Sequence, residues 1–461
     1  GDPGVSYADA LPVTHRIAGA IDHNGYSRGA HVGVLAPNGT AAFLALLGLF
    51  RAECVWLPIN PRNPGPVNAD LLTRFDGELL LFHSSYAEQA ETLKEQCPGI
   101  REIVCIDGDC GTGVSMAQWS KGALDRFEGK TGKLDDLFAI FPTGGTTGKS
   151  KGVMLTHLNI HTMFSNYYSH FNYHDGTCHL VVAPMTHTAG LTGSMHIARG
   201  GTNAIMNSTV PADIVDAMEQ HRVTHLFLPP TVLYMLLALP HIRDWDFSHL
   251  RHFLVGAAPT SLDKLKEAID VFGPVMTEAF GQSEAPASVT AKAPWDYLDA
   301  EGNIDESRLH SIGRPCVFNT VVILDDEGEE QPRGTPGEIC VRGPLVSPGY
   351  YKNPKATAEV RKFGWHHTGD VGVMSKDGYV SIVDRKKDMI ITGGFNVFPN
   401  EIEQVLSSHA AVQECAVIGV PDEKWGEAVK AVVQLKPGQS CTDEELITLV
   451  KAELGSVKAP K

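Results

Sequence analysis

The sequence has no surplus of positive charge, no cysteine pair in metal or redox spacing, and no long apolar run. Against 38 Lys and Arg it sets 54 Asp and Glu, a formal net charge of −16. Nucleic acid is therefore not expected as a partner, because binding a duplex depends on neutralising its phosphates. Nine cysteines, at 54, 97, 105, 110, 178, 316, 340, 415 and 441, are odd in number and form no C-x-x-C. Neither a disulfide framework nor a zinc site is favoured, and a reducing cytoplasm fits best. The longest apolar helix-like run, Ala41 to Phe50, ends at Arg51 and is too short to be a transmembrane segment. The opening residues Gly-Asp-Pro-Gly-Val-Ser-Tyr lack signal-peptide architecture. Internal repeats and low-complexity tracts are also missing. The expectation is a soluble, cytoplasmic protein, monomer or homodimer.

What is present is a chain of 461 residues, long enough for a large core and a satellite. Over the first 385 residues short apolar runs alternate with helical patterns. Strands are expected at His31–Leu35, Cys54–Pro58, Glu78–Phe82, Leu137–Phe141, Leu180–Ala183, Thr224–Leu228 and Phe253–Val255. Helices are expected at Ala41–Arg51, Asp213–His221, Val232–Leu239 and Leu262–Phe272. This alternation predicts layered α/β structure with buried strands. From about Asn319 to residue 385 the pattern turns β-rich, with runs at Asn319–Leu324, Glu338–Arg342 and Tyr379–Val383 between Gly/Pro/Asp turns, and reads as a β-barrel-like subdomain. Residues 386–461 read as a small α+β domain: helix Glu401–Ser408, strands Glu414–Ile418 and Ala428–Leu435, helix Thr442–Leu454.

The most informative stretch is Phe141-Pro-Thr-Gly-Gly-Thr-Thr-Gly-Lys-Ser-Lys151, which follows the apolar run Leu137–Phe141. A strand emptying into a glycine- and donor-rich loop suits polyphosphate. Glycine lets backbone N–H groups approach closely, while Thr and Lys add donors and charge. Gly148-Lys149-Ser150 resembles the end of a P-loop, but the first glycine of that pattern would fall at Thr143.

The loop resembles T-S-G-T-T-G-x-P-K-G, a signature of the adenylate-forming superfamily that includes acyl-CoA synthetases, luciferases and peptide-synthetase adenylation domains. Further motifs recur in the family's order: Phe280-Gly-Gln-Ser-Glu284, Gly334-Thr-Pro-Gly-Glu338, Tyr350-Tyr-Lys-Asn-Pro354, Trp365-His-His-Thr-Gly-Asp370, Asp384-Arg-Lys-Lys-Asp388 and Gly393-Gly-Phe-Asn-Val-Phe-Pro-Asn-Glu-Ile402. The resemblance covers essentially the whole chain and is strongest to acyl-CoA synthetases. It implies an α/β N-terminal domain over 1–385 and a small mobile C-terminal domain over 386–461. The activity it implies is ATP- and Mg2+-dependent formation of an acyl-adenylate, followed by transfer to coenzyme A. A carrier protein as acceptor, or an inactive nucleotide-binding homologue, is the alternative.

The resemblance also implies roles. Thr143, Gly144, Gly145, Thr146, Thr147, Gly148 and Lys151 would grip the β,γ-phosphates, with Thr147, Lys151, Glu284 and His187 closest to the chemistry. Gly144 stands where the family has Ser, and Ser150 where it has Pro. Phe280 would stack on adenine, with Glu278, Ala279, Gly281 and the turn Gly256-Ala257-Ala258 beside the nucleotide. Ser283 would reach the α-phosphate, and Glu284 would hold magnesium through oxygen. Asp370 resembles the ribose-binding acid, Arg385 would contact the ribose or the α-phosphate, Lys387 resembles the hinge, and Gly393 and Gly394 resemble the path of the CoA pantetheine. His187 in Pro184-Met-Thr-His-Thr-Ala-Gly190 would line the acid pocket, although Thr186 replaces the usual aromatic. Tyr234, Val255, Gly256 and Gln282 complete a largely apolar pocket suited to a fatty, aryl or steroid-derived acid. His157 and His161, at i, i+4, have no third ligand and read as a helix face, not a metal site.

At the far end, Val457-Lys-Ala-Pro-Lys461 resembles the family's Y-K-x-P-K, after which the segment with the adenylation lysine is expected. The C-terminal domain therefore looks truncated. A chain ending there is expected to form acyl-adenylate poorly.

Overall fold

The computed structural model describes residues 4–461 apart from 125, 130, 131, 144–149, 172, 174 and 175. The chain divides into two compact units. The first comprises Gly1–Ile304, Cys316–Asn319 and Gly343–Glu359, and the second Asp305–Pro315, Thr320–Arg342 and Val360–Lys461.

Two α/β sheets make up the first unit, as the alternation in the sequence predicts. One contains β1 (His31–Leu35), β2 (Val55–Pro58), β3 (Leu79–Phe82), β4 (Glu102–Cys105), β5 (Val114–Ser115), β6 (Leu137–Pro142) and β7 (Gly152–Thr156). Their order is β7-β6-β2-β1-β3-β4-β5, with the short strand Gly349–Tyr350 added at the β7 edge. All pairs from β6 through β2 to β5 are parallel, whereas β6 and β7 form an antiparallel hairpin. Parallel strands need cover on both faces, and β2 and β3 are buried at every residue. Leu35, Leu57, Leu72, Leu80, Phe82 and Leu93 anchor the core on one side of this sheet.

The second sheet holds β8 (Cys178–Val181), β9 (Thr202–Ile205), β10 (His225–Leu228), β11 (His252–Val255), β12 (Met276–Gln282) and β13 (Ala285–Lys292). Within this unit the order is β13-β12-β11-β10-β8-β9, parallel except for the antiparallel β12–β13 pair. Asn38, just past β1, ties the two sheets together. Its Nδ2 donates to the carbonyls of Val182, Ala183 and Met206 at 3.0–3.2 Å, and its Oδ1 accepts from the Met185 N–H at 2.9 Å. The carboxyl ends of parallel strands, where open α/β sheets bind ligands, are thereby joined at one place.

The second unit begins as an antiparallel sheet. Thr320–Leu324 pairs with Gly337–Arg342, which pairs with Trp365–Met374, and the last also pairs with Arg361–Lys362 and Val380–Arg385. Farther along, Phe395–Val397, Ile390–Thr392, Gly426–Leu435 and Val412–Asp422 form a four-stranded sheet. Helices Pro399–Ser407 and Asp443–Leu454 cover it through Ile402, Leu406, Leu446 and Val450. The second helix starts on a capping box, in which Thr442 and Glu445 satisfy each other's backbone N–H groups.

Candidate active site

The glycine-rich loop is the connection of the β6–β7 hairpin. Gly144, Gly145, Thr146, Thr147 and Gly148 lie outside the described residues. The neck of the loop is described. The Thr143 N–H donates to the Lys151 carbonyl at 2.8 Å, the Lys151 N–H to Thr143 Oγ1 at 3.3 Å, and Ser150 Oγ to the Thr143 carbonyl at 2.6 Å. Arg74, held by Asp70, donates to the Ser150 carbonyl at 2.5 Å. Ser150 thus supplies by hydrogen bonding some of the restraint that a proline ring would give there.

Lys151 and Glu284 meet through Tyr350. The Lys151 ammonium lies 4.9 Å from the centre of the Tyr350 ring, and the Tyr350 hydroxyl donates to Glu284 Oε1 at 2.6 Å. Burial first, and the Glu284 carboxylate second, push the Tyr350 phenol above its ordinary range, so it stays a donor at neutral pH. Tyr350 is positioned by pairing with Val153 on β7. The preceding segment is held by Asn159, whose side chain donates to the carbonyls of Pro344 and Val346. Asn159 also closes a capping box with Thr156 at the start of helix His157–His170. The ring and hydroxyl of Tyr350 thus stand between Lys151 and Glu284, a position its motif alone did not reveal.

β11 and β12 carry the next group. Val255 pairs with Glu278, and Gly256-Ala257-Ala258 follows at the end of β11, with Ala257 in the left-handed region at φ 71°. The Tyr234 hydroxyl accepts from the Ser261 N–H at 2.7 Å, which ties this predicted pocket residue to the same turn. Ala279, Phe280, Gly281 and Gln282 run along β12, with a register shift between Phe280 and Gln282; Ser283 follows the strand. A Cβ on Gly281 would stand 2.4 Å from the Ala287 backbone nitrogen, so only glycine fits this bend.

Glu278 is already engaged. It forms an ion pair with Lys292 at 2.6 Å and accepts from the Tyr297 hydroxyl at 2.6 Å. Lys292 is fully buried, with its ammonium 4.2 Å from the Tyr297 ring centre. This triad braces β12 beside Ala279 and Phe280. Neither Lys292 nor Tyr297 was picked out in the sequence.

His187 stands at the N-cap of helix Thr188–Ile197, its N–H donating to the Pro184 carbonyl at 3.1 Å. The ring is exposed, yet desolvation by the surrounding protein lowers its pKa, so it is neutral at pH 7. His157 and His161 belong to helix His157–His170, and among the described residues no group of three or more His, Cys, Asp or Glu is arranged to hold a metal ion.

The second unit holds a separate set of its own. Asp370, 1% exposed, accepts from Arg385 Nε at 2.7 Å, and the two residues face each other across adjacent strands. Beside them Glu338 accepts from the Gly369 N–H at 3.0 Å, His367 at 3.0 Å and Lys386 at 2.9 Å. Burial opposes ionisation of Glu338, but the bonds from His367 and Lys386 outweigh it and hold the carboxyl below its ordinary range. Lys387 lies in the exposed turn after Val380–Arg385. Gly393 and Gly394, at φ 57° and 83°, form the two-residue turn between paired Thr392 and Phe395. A Cβ on Gly393 would come within 2.9 Å of the Trp425 ring.

Residues 2–351 match the family described as AMP-binding enzyme, and residues 401–461 match the AMP-binding enzyme C-terminal domain. The medium/long-chain-fatty-acid–CoA ligase FadD8 of Mycobacterium tuberculosis is 41% identical over 334 residues, which is 71% of this chain. That match spans 57% of FadD8, little over half its length. Feruloyl-CoA synthase of an Amycolatopsis species is 34% identical over 467 residues, covering 100% of this chain and 90% of that protein. Among solved structures, amide bond synthetase McbA from Marinactinospora thermotolerans is similar with a TM-score of 0.91 at 28% identity, covering 100% of this chain and 90% of McbA.

Proposed function

The chain belongs to the family of AMP-binding enzymes, and from that membership we propose that it is an ATP-dependent acid–CoA ligase. In the first step a carboxylate oxygen attacks the α-phosphorus of ATP, and pyrophosphate leaves with the electron pair of the broken P–O bond. In the second, the CoA thiol loses its proton and attacks the acyl carbon, and AMP leaves. The first reaction joins two anions, so charge neutralisation and alignment supply most of the acceleration.

The observation that carries this reading is the Lys151–Tyr350–Glu284 cluster at the neck of the glycine-rich loop. It sets a cation over one aromatic ring and a carboxylate at that ring's hydroxyl. Lys151 and the loop donors would bind the β,γ-phosphates as they become pyrophosphate. Glu284 offers the hard oxygen that magnesium prefers, and the Tyr350 hydroxyl fixes one of its two oxygens, so the donor set fits the ion. Magnesium, when bound, would neutralise phosphate charge. Phe280 would stack on adenine, on a strand braced by Glu278 and Lys292. Asp370, oriented by Arg385, would accept from the ribose hydroxyls. Gly393 and Gly394 would leave room for pantetheine. The neutral His187 would line the acid pocket with Tyr234 and Gly256.

The nine free cysteines favour a reducing, cytoplasmic setting, and no helix among the described residues is long and apolar enough to cross a membrane. The reading is tested by incubating the full-length protein with carboxylic acids, Mg-ATP and CoA. AMP should form in step with a CoA thioester. Transfer confined to a phosphopantetheinylated carrier protein, or to an amine, would overturn CoA as the acceptor.

A further inference from the structure

Below the turn at Gly256, three neighbouring strands of the second sheet each place a histidine at one level. His225 on β10 pairs in register with His179 on β8 and with His252 on β11. A fourth, His196, comes from the helix whose N-cap is His187 and stacks on His179 at 4.3 Å and 7° between planes. All four are buried, between 2% and 5% exposed. With Tyr173 and Phe227 they line a cavity of about 20 Å³, room for one water-sized group. Four imidazoles are a poor choice for inert packing, because each must be desolvated and still find partners.

Three of the histidines have a partner for Nδ1 among polar side chains: Asn203 for His179, Thr224 for His225 and Thr277 for His252. His196 differs. Its Nδ1 lies 2.8 Å from the Thr192 carbonyl, and because a carbonyl can only accept, Nδ1 carries the proton. Burial lowers the pKa of this ring to about 4, so at neutral pH it holds one proton and Nε2 is a bare acceptor. Nε2 is buried and has no hydrogen-bond partner among the described residues. Beside His196 Nε2 the cavity therefore has room for a donor of about the size of a hydroxyl.

The cavity shares a sheet face with the predicted acid pocket. Phe227 lines it, and the ring of Phe227 comes within 3.6 Å of where a Cβ on Gly256 would stand. His252 is four residues before Gly256 on the same strand face, a drop of roughly 13 Å at about 3.3 Å per residue. We propose that the histidine cavity receives a hydroxyl at the distal end of the acid, which donates to His196 Nε2. The inference rests on the ligase reading and narrows its substrate to hydroxylated acids with the hydroxyl remote from the carboxylate.

The test compares matched acids on the full-length enzyme with Mg-ATP and CoA: ω-hydroxydecanoate against decanoate, and para-hydroxycinnamate against cinnamate. One pair or both should show kcat/KM about tenfold or more in favour of the hydroxylated acid, because a site built for a hydroxyl rejects the analogue that lacks it. In His196→Leu that ratio should collapse to within about threefold of parity, and His196→Gln, which keeps an acceptor, should retain part of it. Near-equal kcat/KM within both wild-type pairs, a comparison that needs no variant, overturns the proposal. So does a preference that His196→Leu leaves intact. If no acid of either kind drives AMP formation, the ligase reading itself falls and takes the proposal with it.

Discussion

Replacing Lys292 by Met tests the brace behind β12. Lys292 is wholly buried, its ammonium 2.6 Å from Glu278 and close over the Tyr297 ring. Methionine keeps most of the side chain's length and apolar contact but removes the charge. Glu278, itself only 15% exposed, is then left with the Tyr297 hydroxyl and no cation. Breaking a buried pair from one side costs about 3–5 kcal/mol, because the surviving charge stays desolvated. Urea unfolding of the wild type and of Lys292→Met, followed by tryptophan fluorescence, reads this directly. In Lys292→Met/Glu278→Gln the stranded charge is gone, so at least half of the loss should return. A single variant within about 1 kcal/mol of wild type would refute the reasoning, as would a double variant no more stable than Lys292→Met.

Gly281→Ala should destabilise the first unit by about 1–3 kcal/mol, since the new methyl meets the Ala287 backbone and no flexible side chain can yield; the same unfolding curves report it. Tyr350→Phe removes one charge-assisted hydrogen bond to Glu284 and should lower kcat/KM for ATP by about tenfold in acid-dependent AMP formation; an unchanged value would detach Tyr350 from the site. Acid should destabilise the histidine shelf. His196 and His252 have folded pKa values lowered to about 4 from 6.5, burial being the main cause. The unfolded chain binds protons first, so stability is complete above pH 6.5 and falls as pH drops toward 4. The loss is on the order of 3 kcal/mol for each ring, and His196→Leu should flatten the profile in that window.

The α/β architecture was legible because parallel strands are buried on both faces and read as short apolar runs. His31–Leu35 was recognisable to the residue for that reason, and Leu262–Phe272 because its apolar residues recur at helical spacing. β12 was not recognised, since Met-Thr-Glu-Ala-Phe-Gly-Gln neither alternates nor stays apolar. Its place is set by register with β11 and β13 and by the Glu278–Lys292 pair. Among the candidate site residues, Lys151, Glu284, Asp370 and Arg385 could be named from motifs. Their supports could not, because Tyr350 lies 66 residues from Glu284, and Asn38 over 140 from the carbonyls it holds at 182 and 183. The histidine shelf left no periodic trace. His179, His225 and His252 sit on separate strands, and only the parallel register levels them.

The central claim is tested most directly by the products. Full-length protein given a hydrophobic carboxylic acid, Mg-ATP and CoA should yield AMP, pyrophosphate and acyl-CoA in equal amounts, with none formed when the acid is omitted. ADP and phosphate as products, or AMP formation that does not depend on the acid, would contradict it.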